Sequence, residues 1–113
     1  MVMAFLDIRP LNIGHALVVP KKHYIDIFDT PKDVLAQLHI ISKDISAAIK
    51  KATNADGISI IQQNGIAAGQ DIFHMHVHIV PMFQGQKLPS FSELREVERI
   101  KLDILAEKIR QNL

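Results

Sequence analysis

The chain has 113 residues, with 13 Lys plus Arg against 12 Asp plus Glu, a formal net charge of +1. That length fits one domain spanning residues 1–113, large enough to bury a core without staples. The absence of Cys excludes a disulfide framework, a thiol nucleophile and a Cys-based zinc site. No apolar run approaches the roughly 18 residues of a membrane helix, and Met1–Leu6 is too short for a signal segment, so a cytoplasmic protein is expected. Near-zero charge and a lack of Trp argue against a nucleic-acid binder built on a basic face or stacking platforms.

In chain order, residues 1–8 (MVMAFLDI) read as a strand that Pro10 ends. Leu11-Asn12-Ile13-Gly14 is a turn, and residues 15–19 (HALVV) form a second strand, antiparallel to the first and stopped by Pro20. Thr30 then suits a helix N-cap and Pro31 the first helical position. Val34, Leu38, Ile41, Ile45 and Ala48 step by four and three along one helical face, with Lys50 and Lys51 at the C-terminal end. Residues 57–63 (GISIIQQ) form a third strand, 64–69 (NGIAAG) a small-residue loop, and 72–80 (IFHMHVHIV) a fourth strand stopped by Pro81. After a loop over 82–90, Ser90-Phe91-Ser92-Glu93 fits a capping box. It opens a helix with Leu94, Val97, Leu105 and Ile109 inward, and Ile100, Leu102 and Ile104 widening the apolar surface. The order β-β-α-β-β-α implies an α+β domain: an antiparallel sheet with a long helix on one face and a C-terminal helix.

Three of the six histidines occupy alternate positions, His74, His76 and His78, between Met75, Val77 and Ile79. Strand side chains alternate faces, so the apolar set belongs to the core and the imidazoles share the other face. Same-face residues on one strand are about 6.6–6.8 Å apart, which makes a three-His metal site from this strand strained. Two of the three with His15 remain a metal alternative. Acid–base and nucleophilic chemistry fits the row better. Two imidazolium charges about 7 Å apart repel by about 2 kcal/mol at an effective dielectric near 20, so a charged ring favours a neutral neighbour. A neutral, attacking imidazole beside a proton-donating or anion-binding one suits phosphorus-group transfer. The loop Asn64 to Gln70 ahead of the row brings small residues and an amide donor toward a phosphate.

The run His74-Met75-His76-Val77-His78-Ile79-Val80 resembles the signature of the histidine triad (HIT) family: His, apolar, His, apolar, His, apolar, apolar. Asn64-Gly65-Ile66-Ala67-Ala68-Gly69-Gln70, Phe5-Leu6-Asp7-Ile8-Arg9-Pro10 and Gly14-His15-Ala16-Leu17-Val18-Val19-Pro20-Lys21-Lys22-His23 resemble the family's other blocks, in order, over residues 5–81. The resemblance implies a nucleotide hydrolase or transferase that attacks the α-phosphorus of adenosine phosphoramidates or dinucleoside polyphosphates. His76 would be the nucleophile and form a nucleotidyl-imidazole. His78 would contact phosphate and help protonate the leaving group. His74 would orient the nucleophile, partly through its carbonyl, and His15 would complete the network. Gln70 and Asn64 would hold phosphate or leaving-group oxygens, Asp7 the ribose hydroxyls, and Phe5 and Ile8 the base of a purine nucleotide. The Hint-like branch requires no metal or other cofactor, and the family implies a homodimer.

Simpler readings stand beside these. Phe5 and Ile8 serve equally as core, Asp7 as a turn cap, His39 as surface and His23 as a structural residue. Three departures from the family pattern matter. Asp71 stands where a hydroxyl donor is common, and Met82 where Arg often follows the Pro. The chain also starts inside the first matched strand, without the helix and strand that members carry ahead of it, which is expected to weaken base affinity more than phosphate chemistry and to leave the first strand an unprotected edge. The rival readings are a nucleotide-binding or interaction module with little catalysis, and a metal-binding protein using His15, His74 and His76.

Overall fold

A computed structural model describes residues 1–88 and 95–113. The elements in order are β1 (Val2–Leu6), β2 (Ala16–Pro20), helix α1 (Lys32–Thr53), β3 (Gly57–Ile61), a single 3₁₀ turn (Ile66–Ala68), β4 (Val77–Met82) and helix α2 (Arg99–Arg110). The four strands form one antiparallel sheet in the order β1-β2-β4-β3. This is the α+β architecture expected from the sequence.

The sheet has two unlike faces because strand side chains alternate. On one face Ala16, Val18, Val77 and Ile79 are buried against Val34, Leu38, Ala48, Ile49 and Ala52 of α1, with Met75 and Ile109 completing the cluster. Ile41 and Ile45 continue the helical stripe as half-buried neighbours of that core. From α2, Leu102 and Ile109 are buried and Leu105 packs against the core, whereas Ile100 and Ile104 are exposed. On the other face Phe5 lies opposite Leu17, and Leu17 opposite His78. That second face carries the histidines.

Several boundaries differ from the sequence reading, each for a local reason. Pro31, not Thr30, occupies the α1 N-cap position. The Thr30 hydroxyl instead donates back to the Asp26 carbonyl at 2.6 Å. The fourth strand does not run over 72–80. It begins at Val77 and continues through Pro81 to Met82. β2 pairs with β4 only over Val77–Ile79, so Pro81 has β3 as its sole strand neighbour and its missing N–H costs no ladder bond. The last helix starts at Arg99, and Val97 precedes it, its N–H donating to the Ile8 carbonyl at 2.9 Å. The capping box at 90–93 and Leu94 lie outside the described residues.

The turn that delivers His15 depends on Gly14. Its φ is +103°, and a Cβ there would sit 2.8 Å from Thr53 Cγ2 and 3.2 Å from Pro81 Cγ. Gly14→Ala should therefore cost about 1–3 kcal/mol in strain and displacement. Urea unfolding checks this, and an unchanged midpoint would show that the turn tolerates a side chain.

Candidate active site

The histidine cluster is built by three segments meeting above the sheet: the turn before β2, the start of β4, and the chain just ahead of it. His15 is fully buried. Its Nδ1 accepts the Leu11 backbone N–H at 3.0 Å, and its Nε2 lies 2.9 Å from His78 Nδ1. The Asp7 carboxylate is 3.9 Å from the same Nε2. His76 and His78 meet edge to face with ring centroids 4.8 Å apart.

Only His78 of the three alternating histidines lies on a regular strand, which corrects the expected straight row. The reason is a local bond: His76 Nδ1 lies 2.7 Å from the carbonyl oxygen of His74, two residues back. A carbonyl only accepts, so Nδ1 of His76 carries a proton, and in the neutral ring Nε2 holds the lone pair. The His74 ring turns elsewhere, with Nε2 donating to the Pro20 carbonyl at 2.8 Å and Nδ1 lying 3.0 Å from Nδ1 of His23. His23, read from the sequence as structural, thus rests directly on the triad. Its place in the matched block Pro20-Lys21-Lys22-His23 is the signal for this.

The remaining candidates divide. Asp7 sits just beyond β1, its N–H donating to the His15 carbonyl at 2.9 Å. Its Oδ1 accepts the Arg9 N–H at 2.9 Å, so it caps a turn as well as facing His15. Phe5 and Ile8 are 43% and 49% exposed, which removes them from the core and leaves both surfaces open to a ligand. Asn64 accepts the Ile27 N–H through Oδ1 at 2.8 Å and is bonded by the Gln62 amide as well. Gln70 differs from the expectation that its amide reaches a phosphate. It is buried, accepts the Gly65 N–H at 2.7 Å, and donates to the Ile25 and Ile72 carbonyls at 2.6 and 3.1 Å. Each of these bonds ties the small-residue loop to its neighbours, so Gln70 shapes the loop from within. His39 is exposed on α1, as read.

Electrostatics follows from burial. Desolvation lowers the His78 pKa to about 4, helped by repulsion from His76 and His15 and opposed by Asp71. Burial also lowers that of His15, against the pull of Asp7. Both rings are therefore neutral near pH 7.

Among the described residues, the group close enough to share a cation is Asp7, His15 and His78, whose ligand-type atoms lie within 4.8 Å of one another. The alternative set of His15, His74 and His76 is not brought together. His15 Nε2 could take a cation only by giving up its contact with His78, because its Nδ1 already accepts a backbone N–H.

The buried imidazoles beside a small-residue loop have the arrangement that the histidine triad resemblance leads one to expect. The family profile of the HIT domain matches residues 1–85. The Arabidopsis thaliana protein named Adenylylsulfatase HINT3 is 42% identical over 91% of this chain and 52% of its own length. A HIT-like protein of Saccharolobus solfataricus is 49% identical over 71% of this chain and 58% of its own length. Among solved structures, a HIT-like protein of Bartonella henselae superposes with a TM-score of 0.93 at 37% identity, over 99% of this chain and 80% of that one. A zinc-bound histidine triad protein of Mycobacterium smegmatis gives 0.82 at 38% identity, over 97% and 78%. The chain belongs to the HIT family. It spans little more than half the length of the two curated relatives described here. No helix among the described residues is long and apolar enough to cross a membrane.

Because the folded chain excludes a proton that unfolded His78 binds near pH 6.5, the unfolded state holds more protons below that value. Stability should then fall as pH drops from about 6.5 toward 4, by at most about 1.4 kcal/mol per pH unit for this one group. Comparing urea midpoints at pH 7.5 and 5 for the parent and His78→Gln checks this, since the variant should lose less. Equal losses would place the neutral histidine elsewhere.

Proposed function

We propose that this HIT domain is a nucleotidyl hydrolase or transferase that attacks the α-phosphorus of adenosine phosphoramidates or dinucleoside polyphosphates through His76. The observation that carries the reading is the bond from His76 Nδ1 to the His74 carbonyl, which leaves an Nε2 lone pair in a site packed against a neutral His78. In the first step that lone pair forms a bond to phosphorus as the bond to the leaving group breaks, giving a nucleotidyl-imidazole. In the second, water attacks the same phosphorus and gives up a proton to solvent, balancing the one the leaving group took up, while the P–N bond breaks and His76 recovers its lone pair. His74 acts as a positioning residue through its carbonyl. His78 contacts the phosphoryl oxygens. Asp7, its Oδ2 directed to the His15 side, would accept a ribose hydroxyl, with the exposed Phe5 and Ile8 against a purine base. Asn64 and Gln70 shape the loop at the phosphate, Gln70 indirectly.

The family membership and the named adenylylsulfatase relative support nucleotide hydrolysis as the class of activity. These steps need no metal, and a cytoplasmic homodimer built from one domain over 1–113 is part of the same reading.

His76→Ala should lower turnover of an adenosine phosphoramidate and of a diadenosine polyphosphate by more than about 10³-fold while leaving the fold intact. Full turnover in that variant would overturn the reading. One observation favours a second reading, a nucleotide-binding module with little catalysis: the exposed Asp71 carboxylate acts on His78 where an incoming phosphate is also anionic. Nucleotide binding without turnover in the parent protein would select it.

A further inference from the structure

Residues 20–24 and 74–75 lie side by side and are joined at three points. Tyr24 packs against the core and Met75 is buried in it, which anchors both segments. The Met75 N–H donates to the Tyr24 carbonyl at 2.7 Å. The residues just before these two, His23 and His74, meet outside the core, with ring centroids 5.1 Å apart and Nδ1 to Nδ1 at 3.0 Å. The third point is the 2.8 Å bond from His74 Nε2 to the Pro20 carbonyl.

We propose that His23 is a positioning residue of the active site: it donates from Nδ1 to His74 Nδ1 and so helps hold the peptide unit whose oxygen fixes the ring proton of His76. The proposal rests on the nucleotidyl-transfer reading and adds one residue to its machinery. Pro20 sets the direction of the His23–His74 bond. A carbonyl only accepts, so His74 Nε2 carries a proton, and in the neutral ring Nδ1 holds the lone pair. The proton between the two Nδ1 atoms then belongs to His23.

The peptide unit in question joins His74 to Met75. It is planar and trans, so its C=O and N–H point in opposite directions and turn together. Tyr24 holds the N–H end, and the C=O end meets His76 Nδ1 at 2.7 Å. The Cα of His74 is one corner of that plane. With its ring bonded at both nitrogens, to Pro20 and to His23, His74 cannot swing and carry the plane with it. His23 itself is exposed, so core packing does not account for a ring set against the triad.

The test compares the parent chain with His23→Leu and His23→Asn by nuclear magnetic resonance of ¹⁵N-labelled histidine rings at pH 8, without substrate. Leu removes the donor, whereas the Asn side-chain amide keeps one at the place of Nδ1. In the parent, His74 should show a protonated Nε2 and a bare Nδ1, and His23 a protonated Nδ1. In His23→Leu the His74 tautomers should mix, and the His76 Nδ1 proton should exchange with water roughly tenfold faster, the loss expected from one hydrogen bond. His23→Asn should restore the parent behaviour at both rings. His74 protonated on Nδ1 in the parent, a His76 proton unchanged in His23→Leu, or an Asn variant as altered as the Leu variant would each overturn the proposal. None of these readouts uses turnover, so failure here is distinct from failure of the nucleotidyl-transfer reading.

Discussion

The bond between His76 Nδ1 and the carbonyl of His74 is the constraint on which the site depends. It fixes a ring proton on Nδ1, so that in the neutral ring Nε2 is left with the lone pair. It lies in the bent, irregular chain ahead of β4, where the His74 carbonyl serves a side chain and not a strand ladder. The bend turns the His74 ring away, onto the Pro20 carbonyl and the His23 ring. Regular strand pairing begins only at Val77, and from there the chain returns to the ladder with β2 and β3.

The sheet supplies the rigidity that makes such a bond useful. Its helix-facing side packs Val77 and Ile79 against α1, which fixes the side-chain direction of His78 between them. The opposite side places Phe5, Leu17 and His78 in one row across β1, β2 and β4. One alternation thus serves both purposes, with core on one face and chemistry on the other. Burying neutral imidazoles costs little when each ring nitrogen has a partner, and His15 meets that condition through Leu11 and His78. The same burial lowers their pKa values, so the packing that stabilises the domain also sets the protonation of the site.

Much of this was legible in the sequence. The α+β order, the β1–β2 pair, the α1 stripe and the alternating histidines all follow from periodicities that depend on side chains alone. What escaped depends on backbone groups. Pro81 reads as a strand stop, yet it sits in β4 because β2 pairs no further than Ile79 there. Residues 72–76 read as strand from alternation, but the His76–His74 bond overrides that pattern. Gln70 reads as a free amide donor, whereas a Gly65 N–H and two carbonyls saturate it. His23 reads as merely structural because its partner is brought to it by the fold, from 51 positions along the chain.

The central claim is that the Nε2 of His76 forms the covalent bond to phosphorus. The most direct measurement mixes the protein with excess diadenosine polyphosphate, quenches by denaturation within one turnover under alkaline conditions that preserve a phosphorus–imidazole bond, and maps the adduct by mass spectrometry of peptides. The account predicts an adenylyl group on His76. An adenylyl group on His74, on His78 or on a residue outside the cluster would contradict it.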